Sequence, residues 1–110
     1  MDENAMEEAR FDQAARDELH AIEEGLGDVD PDDVEIGTSD GILKLALRDG
    51  TRVVINSHRA ARQIWMAAIA TAWHFDPVPG GGWVAAKTGE ELRATVRRLL
   101  KEHVGVDVAL

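Results

Sequence analysis

The chain has 110 residues, of which 45% are hydrophobic and none is cysteine, and its formal net charge is −9. A chain of this length can bury an ordinary core, so we expect one domain spanning residues 1–110. The lack of cysteine excludes disulfides, zinc–thiolate sites and iron–sulfur clusters ligated by this chain.

The charge is concentrated at the N-terminal end. Residues 1–35 contain 14 acidic and two basic residues, a net charge of −12, whereas residues 36–110 contain seven acidic and ten basic residues, a net charge of +3. Such a field attracts cations and basic protein surfaces, and we expect no binding to nucleic acids or membranes. There is no signal-like N-terminal segment, and the longest apolar run has ten residues, so we expect a cytoplasmic protein.

The first predicted element is a helix with a single apolar stripe. Asn4 can act as its N-cap, with Glu7 three residues later in a capping box, and Gly25 and Gly27 end it. Glu18 lies at the edge of the stripe, where helical periodicity does not explain an acidic residue. The stripe consists of Phe11, Ala15, Leu19, Ile22 and Leu26.

Five carboxylates follow the helix within eight residues: Asp28, Asp30, Asp32, Asp33 and Glu35. The segment resembles the start of a calcium-binding EF-hand loop. The sixth loop position is Asp33 instead of glycine, and the twelfth is Ser39 instead of glutamate, so we reject an EF-hand. What remains is an open row of oxygen ligands, which suits hard cations bound weakly and with little selectivity.

The rest of the chain predicts antiparallel strands followed by a second helix. Thr88 and Glu91 form a capping box for that helix, which ends at Gly105. Both helices have one apolar face, so we predict an α+β fold: a two-layer α–β sandwich, with two helices on one face of a five- to six-stranded antiparallel sheet and the other face open to water. The predicted strands are 34–36 at the edge, 43–47, 51–56, 63–68, 73–76 and 83–87.

No motif supports nucleophilic catalysis or phosphate binding. Ser39 and Ser57 lack the G-x-S-x-G pattern, and the run Gly80–Gly82 lacks the Lys-Ser/Thr of a phosphate-binding loop, so we interpret it as a turn. The histidines show no metal-ligand spacing and are interpreted as surface residues. They are His20, His58, His74 and His103.

Strand alternation separates the three tryptophans. Trp73 and Trp83 have the parity of core residues, whereas Trp65 shares a face with Gln63 and is predicted on the open face with Asn56. A large exposed aromatic residue beside amides is a common anchor of protein interfaces. The alternative is a ring that lies flat on the sheet as a lid.

Several short motifs occur in the order seen in the bacterial frataxin (CyaY) family. They are Val53-Val54-Ile55-Asn56, Gln63-Ile64-Trp65-Met66-Ala67, His74-Phe75-Asp76, Trp83, and Gly89 with Leu92 at the start of the last helix. With the acidic first helix, the similarity spans residues 8–104. The chain therefore resembles a frataxin, and the fold of that family is the α–β sandwich predicted above.

The resemblance implies an iron-binding protein of iron–sulfur cluster assembly that binds the cysteine desulfurase and the scaffold protein, as iron donor or as regulator. It implies weak, reversible binding of Fe²⁺ or Fe³⁺, for which other divalent cations substitute, and a monomer when iron is absent. Iron would bind an acidic ridge of Asp17, Glu23, Glu24, Asp28, Asp30, Asp32, Asp33 and Glu35. Partners would bind a sheet patch of Asn56, Gln63, Trp65 and His74.

Two other functions remain open. A ferroxidase or iron-storage assembly would need a compact ligand cluster, such as the Glu-x-x-His pairs of di-iron bundles, and the sequence has none near the acids. We therefore expect no enzymatic activity. An interaction adaptor would use the acidic face to bind a basic partner, with metal binding incidental.

Overall fold

The computed structural model describes residues 7–110. Helix α1 (Glu8–Gly25) precedes six strands, and helix α2 (Leu92–Val104) follows them. The strands are β1 (Val34–Ser39), β2 (Ile42–Leu47), β3 (Arg52–His58), β4 (Gln63–Ala68), β5 (Thr71–Pro77) and β6 (Trp83–Ala85). They form one antiparallel sheet in the order in which they occur in the chain. Neither α1 nor α2 has the length and apolar character needed to cross a membrane.

Consecutive strands are neighbours because tight turns join them. Asp40 and Gly41 have φ values of 50° and 78° between β1 and β2, and Gly50 has a φ of 92° between β2 and β3. Positive φ favours glycine and tolerates aspartate. The loop between β2 and β3 is longer than a two-residue turn, since the N–H of Gly50 donates to the oxygen of Leu47 and the N–H of Leu47 donates to the oxygen of Thr51. The predicted glycine turn before β6 is confirmed, since the Val78 and Gly82 backbones are hydrogen-bonded.

The core lies between the helices and one face of the sheet. The predicted stripe of α1 is buried, as are five apolar residues of α2 and alternate residues of the central strands. Trp73 and Trp83 are both buried, as predicted, and the Trp83 ring packs edge-to-face on Phe11, with centroids 5.9 Å apart. The helices cover one face only, which confirms the two-layer sandwich with an open face. The α2 residues are Leu92, Val96, Leu99, Leu100 and Val104.

The predicted helix caps are wrong in detail. Helix α1 begins at Glu8 with Glu7 at the N-cap, so Glu7 does not take the third helical position; Asn4 lies outside the described residues. In α2 the N-cap is Glu91, whose carboxylate accepts hydrogen bonds from the backbone N–H groups of residues 93 and 94. Thr88 stays in a preceding turn, because Gly89 and Glu90 are hydrogen-bonded to the backbone of Ala85.

The acid at the edge of the α1 stripe joins the two helices. Glu18 is 5% exposed, and its carboxylate accepts hydrogen bonds from Nε and Nη2 of Arg93 on α2, at 2.9 and 2.7 Å. The hydrogen bond to Glu18 raises the pKa of Arg93. A bidentate contact of this kind offsets the cost of burying the carboxylate. Glu18 is therefore a structural acid and not a member of the acidic ridge.

Candidate metal- and partner-binding surfaces

The acidic ridge follows three elements in succession. Asp17, Glu23 and Glu24 lie on the second half of α1, and Glu35 lies on β1. The remaining four members occupy the loop between α1 and β1. Seven of the eight predicted carboxylates therefore follow one another along α1 and the loop after it, and the eighth lies on the first strand.

The helical members of the ridge have weak local partners. The Asp17 carboxylate accepts a hydrogen bond from Nε2 of Gln13 at 2.8 Å. His20 lies one turn before Glu23 and Glu24, with ring nitrogens 3.8 and 3.0 Å from their carboxylates. All these groups lie near the surface, where such contacts contribute little stability.

Two carboxylates of the loop have partners within the protein, one a backbone N–H group and the other an arginine side chain. Oδ1 of Asp30 accepts a hydrogen bond from the backbone N–H of Asp32 at 2.9 Å, the contact of an Asx turn. Asp33 is half-buried and bonded to the guanidinium of Arg48. Asp28 and Asp32 are exposed, so their carboxylates are open to solvent.

Glu35 lies apart from the other members of the acidic ridge. It is exposed and pairs with Ala46 of β2, whereas its neighbour Val34 is buried in the core. Strand alternation therefore places Glu35 on the open face of the sheet. Within residues 7–110, no three His, Cys, Asp or Glu side chains are arranged to hold a metal ion. The ridge is an open row of carboxylates and not a preformed chelating site.

The sheet patch is brought together around Trp65. Asn56 of β3 and His74 of β5 are the direct cross-strand partners of Trp65. Nε1 of Trp65 donates to Oε1 of Gln63 at 2.8 Å, and Nε2 of Gln63 donates to Oδ1 of Asp76 at 2.9 Å. The prediction that Trp65 lies on the open face with Asn56 and Gln63 is confirmed.

One residue of this surface, His58, was not predicted from the sequence. Its imidazole stacks on the Trp65 indole with centroids 3.8 Å apart and planes 9° apart. His74 stacks on the other side at 4.2 Å and 12°. The indole therefore stands between two imidazoles and does not lie flat as a lid. We call this arrangement, with His58 and His74 enclosing Trp65, the indole clamp.

His58 was missed because the predicted strand ended at Asn56. Strand β3 continues to His58, and alternation puts residues 56 and 58 on the same face. His58 pairs with Gln63, diagonal to Trp65, within the reach of an aromatic side chain. Its Nδ1 is buried without a hydrogen-bond partner among the described residues, which costs about 1–3 kcal/mol.

A second polar network connects the acidic ridge to the end of α2. Nδ1 of His103 lies 2.7 Å from Oδ2 of Asp49, in the turn between β2 and β3. The backbone N–H of Thr51 is the main cause that lowers the pKa of Asp49 to about 2. Arg48 in the same turn contacts both Asp33 and the backbone oxygen of Val104. The turn thus connects the acidic loop to the C-terminal end of α2.

Fold and surfaces together define a class: a small α–β sandwich with an acidic helix edge and a tryptophan-centred patch on its open sheet. The family model for the frataxin-like domain matches residues 4–106. The chain belongs to the frataxin family.

Curated relatives and solved structures agree with this assignment. The chain is 32% identical over 108 residues to the iron–sulfur cluster assembly protein CyaY of Ralstonia pickettii, covering 96% of this chain and 95% of that protein. It is 30% identical over 98 residues to CyaY of Vibrio cholerae, covering 89% and 92% of the two chains.

Two solved structures resemble the fold. Frataxin from Psychromonas ingrahamii has a TM-score of 0.85 at 23% identity and covers 94% of this chain and 96% of its own. A trimeric yeast frataxin complexed with ferrous iron has a TM-score of 0.67 at 27% identity, covering 94% and 91%.

Proposed function

We propose that this protein acts in iron–sulfur cluster assembly and binds iron on its acidic ridge. The observation that carries the proposal is the lack of compensation along the ridge. Among the described residues, Asp33 is the only ridge member paired with Lys or Arg. Oxygen ligands without competing cations suit a hard metal ion. The CyaY relatives named above and the yeast frataxin with ferrous iron support the assignment.

The ridge geometry favours weak and reversible binding. Its members lie on a helix, a loop and a strand, so a bound ion would be held by few carboxylates at a time and would keep part of its water. Sites with few fixed ligands have low affinity and discriminate poorly among divalent cations. Fe²⁺ or Fe³⁺ is the proposed cargo, with Mn²⁺ and Co²⁺ as substitutes.

The sheet patch is the proposed contact with the cysteine desulfurase and the scaffold protein. Trp65 is a large, partly accessible aromatic residue next to the amides of Asn56 and Gln63, the composition of an interface anchor. The protein would act without catalysis of its own, as iron donor or as regulator of the desulfurase. It would be monomeric when iron-free.

The experiment measures metal binding and partner binding with the same variants. Fe²⁺ and Mn²⁺ are titrated anaerobically into the wild type and into Asp28→Asn/Asp32→Asn, with calorimetry and NMR line broadening as readouts. The variant should lose most of the binding, and broadening should centre on residues 17–35. Glu102→Gln/Asp107→Asn makes the same charge change outside the ridge and should bind like the wild type. Equal losses of metal binding in both variants would show that the net charge of the protein, and not the ridge, determines binding.

Binding to the desulfurase and scaffold of the same organism is then measured with and without Fe²⁺. Trp65→Ala should abolish binding or weaken it at least tenfold, since central aromatic anchors commonly contribute more than 1.4 kcal/mol. A metal-dependent gain in affinity supports an iron donor, and metal-independent binding that changes desulfurase turnover supports a regulator.

The adaptor alternative has one observation in its favour. No preformed metal-binding cluster is found in the described part of the chain, so the acidic ridge could serve a basic protein surface alone. Partner binding unaffected by metal, together with no measurable titration of the wild type, would favour the adaptor over the iron-binding protein. The same lack of a compact cluster counts against a ferroxidase.

A further inference from the structure

The Trp65 indole is already engaged on three sides. Its two ring faces are covered by His58 and His74, at 3.8 and 4.2 Å between centroids. Its N–H is donated to Gln63. The side chain is nevertheless only partly buried. The surface that a partner can reach is therefore the edge of the ring, away from the nitrogen.

The edge and the faces of an indole prefer opposite charges. The faces carry the negative part of the quadrupole and attract guanidinium or ammonium groups, whereas the C–H edge is positive. A cation–π contact needs a free face, and in the indole clamp an imidazole already stacks on each face. An edge contact instead favours oxygen atoms with partial or full negative charge.

The groups around the edge reinforce this preference. Asn56 and the two imidazoles bring N–H donors next to the ring. Lys44 is exposed on the same face, one row further along the sheet, opposite Val54. The nearby carboxylate of Asp76 already accepts a hydrogen bond from Gln63. Close to the ring this surface is therefore rich in donors, and the ridge residue Glu35 lies on the same face only at the edge strand, opposite Ala46.

We propose that His58 is a positioning residue that, with His74, holds the indole of Trp65 on edge, and that the partner presents carboxylates to this edge. The inference about the partner rests on the proposed function of the sheet patch, whereas the inference about His58 concerns the free protein. His58 has this role through ring stacking and not through hydrogen bonding, since its Nδ1 has no hydrogen-bond partner among residues 7–110. Another flat aromatic ring should replace it.

The free protein tests the positioning role. His58→Ala removes the ring, and His58→Phe keeps a stacking ring without nitrogens. His103→Ala is the control, because its imidazole lies on α2 beside the turn that precedes β3. NMR is recorded on the Trp65 side chain, with its Nε1–H shift, its order parameter and its NOEs to residues 58 and 74. We expect His58→Ala to shift the Nε1–H signal and lower its order parameter, while His58→Phe and His103→Ala keep an ordered indole. An equally ordered indole in His58→Ala would overturn the role of His58.

The complex tests the chemistry of the partner. The purified desulfurase–scaffold complex is titrated with the wild type and the same variants. His58→Ala should bind about three- to tenfold more weakly, because ordering a side chain on binding costs affinity, and His58→Phe should bind like the wild type. NOEs between Trp65 and both imidazoles should persist in the complex. A clamp that opens so that a partner group stacks on the indole face would contradict an edge contact.

Charge-reversal variants test the sign of the charge that the partner presents. Lys44→Glu should weaken binding at least tenfold, and Lys87→Glu, exposed outside the sheet patch, should have a much smaller effect. Tighter binding by Lys44→Glu would mean that the partner presents cations, which overturns the carboxylate assignment. A wild type that does not bind the complex would refute the proposed function, while the NMR of the free protein would still decide the positioning role.

Discussion

The acidic ridge and the sheet patch are built in opposite ways on the same small molecule. The ridge has an excess of one charge, and Asp33 is its only member paired with Lys or Arg in the described part of the chain. In the sheet patch, Trp65 has a ring contact on each face and a hydrogen bond at its nitrogen. Metal binding by the ridge therefore depends on its number of carboxylates and tolerates changes in their positions. Partner binding by the patch depends on the specific residues that surround Trp65. Substitutions should affect the two surfaces in different ways.

The largest expected difference separates two tryptophans of the same sheet. Trp83→Ala should lower the free energy of unfolding by about 3–5 kcal/mol, because it leaves a cavity against Phe11 in the core. Trp65→Ala should cost about 1–3 kcal/mol, the contribution of its two ring pairs, but should remove partner binding. Urea denaturation and binding measurements on both variants check this. Similar stability losses would mean that the indole clamp belongs to the folding core.

Paired acids on α1 should behave unlike ridge acids. Arg93→Ala leaves the buried Glu18 carboxylate without its charged partner and should cost about 3 kcal/mol or more. Glu18→Ala should cost less, because the Arg93 side chain is 38% exposed and can be hydrated. Urea denaturation of the two variants measures the asymmetry. Equal costs would indicate that lost packing, not the unpaired carboxylate, dominates.

Sequence periodicity predicted the helices and the sheet because each is a local pattern, whereas the members of the ridge came from the resemblance to the frataxin family. It assigned the correct face to Trp65 for the same reason, since alternation needs only neighbouring residues. His58 was missed because alternation does not mark where a strand ends, and β3 runs two residues beyond the predicted end. The partner of Glu18 is 75 residues away, which no periodicity reports. The helix caps depended on turn hydrogen bonds that only the folded chain defines.

Ridge acids without partners should reduce stability. Residues 7–35 contain 12 acidic and two basic residues, a net charge of −10, and folding brings these charges closer together. Asp30→Asn/Asp32→Asn should therefore raise the melting temperature by about 2–4 °C at low salt. Asparagine keeps the Oδ1 acceptor of the Asx turn at residue 30, so the change isolates charge from structure.

Salt and metal separate the causes of that gain. NaCl should raise the melting temperature of the wild type more than that of the variant, since the Debye length falls from about 30 Å at 0.01 M to about 10 Å at 0.1 M. Millimolar Mn²⁺ should stabilise the wild type further by binding the native state, and the variant should lose most of this increment. A variant that melts below the wild type at low salt would show that these two aspartates act mainly in the turn.

The smallest expected effect concerns Asp49, an acid outside the ridge with fixed partners. Its pKa is about 2 in the folded protein against an ordinary value of 3.8, because the Thr51 N–H and then the Thr51 and His103 side chains stabilise its carboxylate. The native state therefore binds fewer protons than the unfolded state between these values. The contribution of Asp49 should be complete above about pH 4 and lost as the pH falls through 2.

Asp49→Asn tests this assignment by acid titration of stability. The stability of the variant should fall less steeply than that of the wild type between pH 4 and pH 2, and the two curves should run parallel from pH 5 to 6. Identical slopes in the variant and the wild type over this range would show that the contacts with Thr51 and His103 do not hold the pKa of Asp49 below its ordinary value, and the contrast between an acid with fixed partners and the open acids of the ridge would fail.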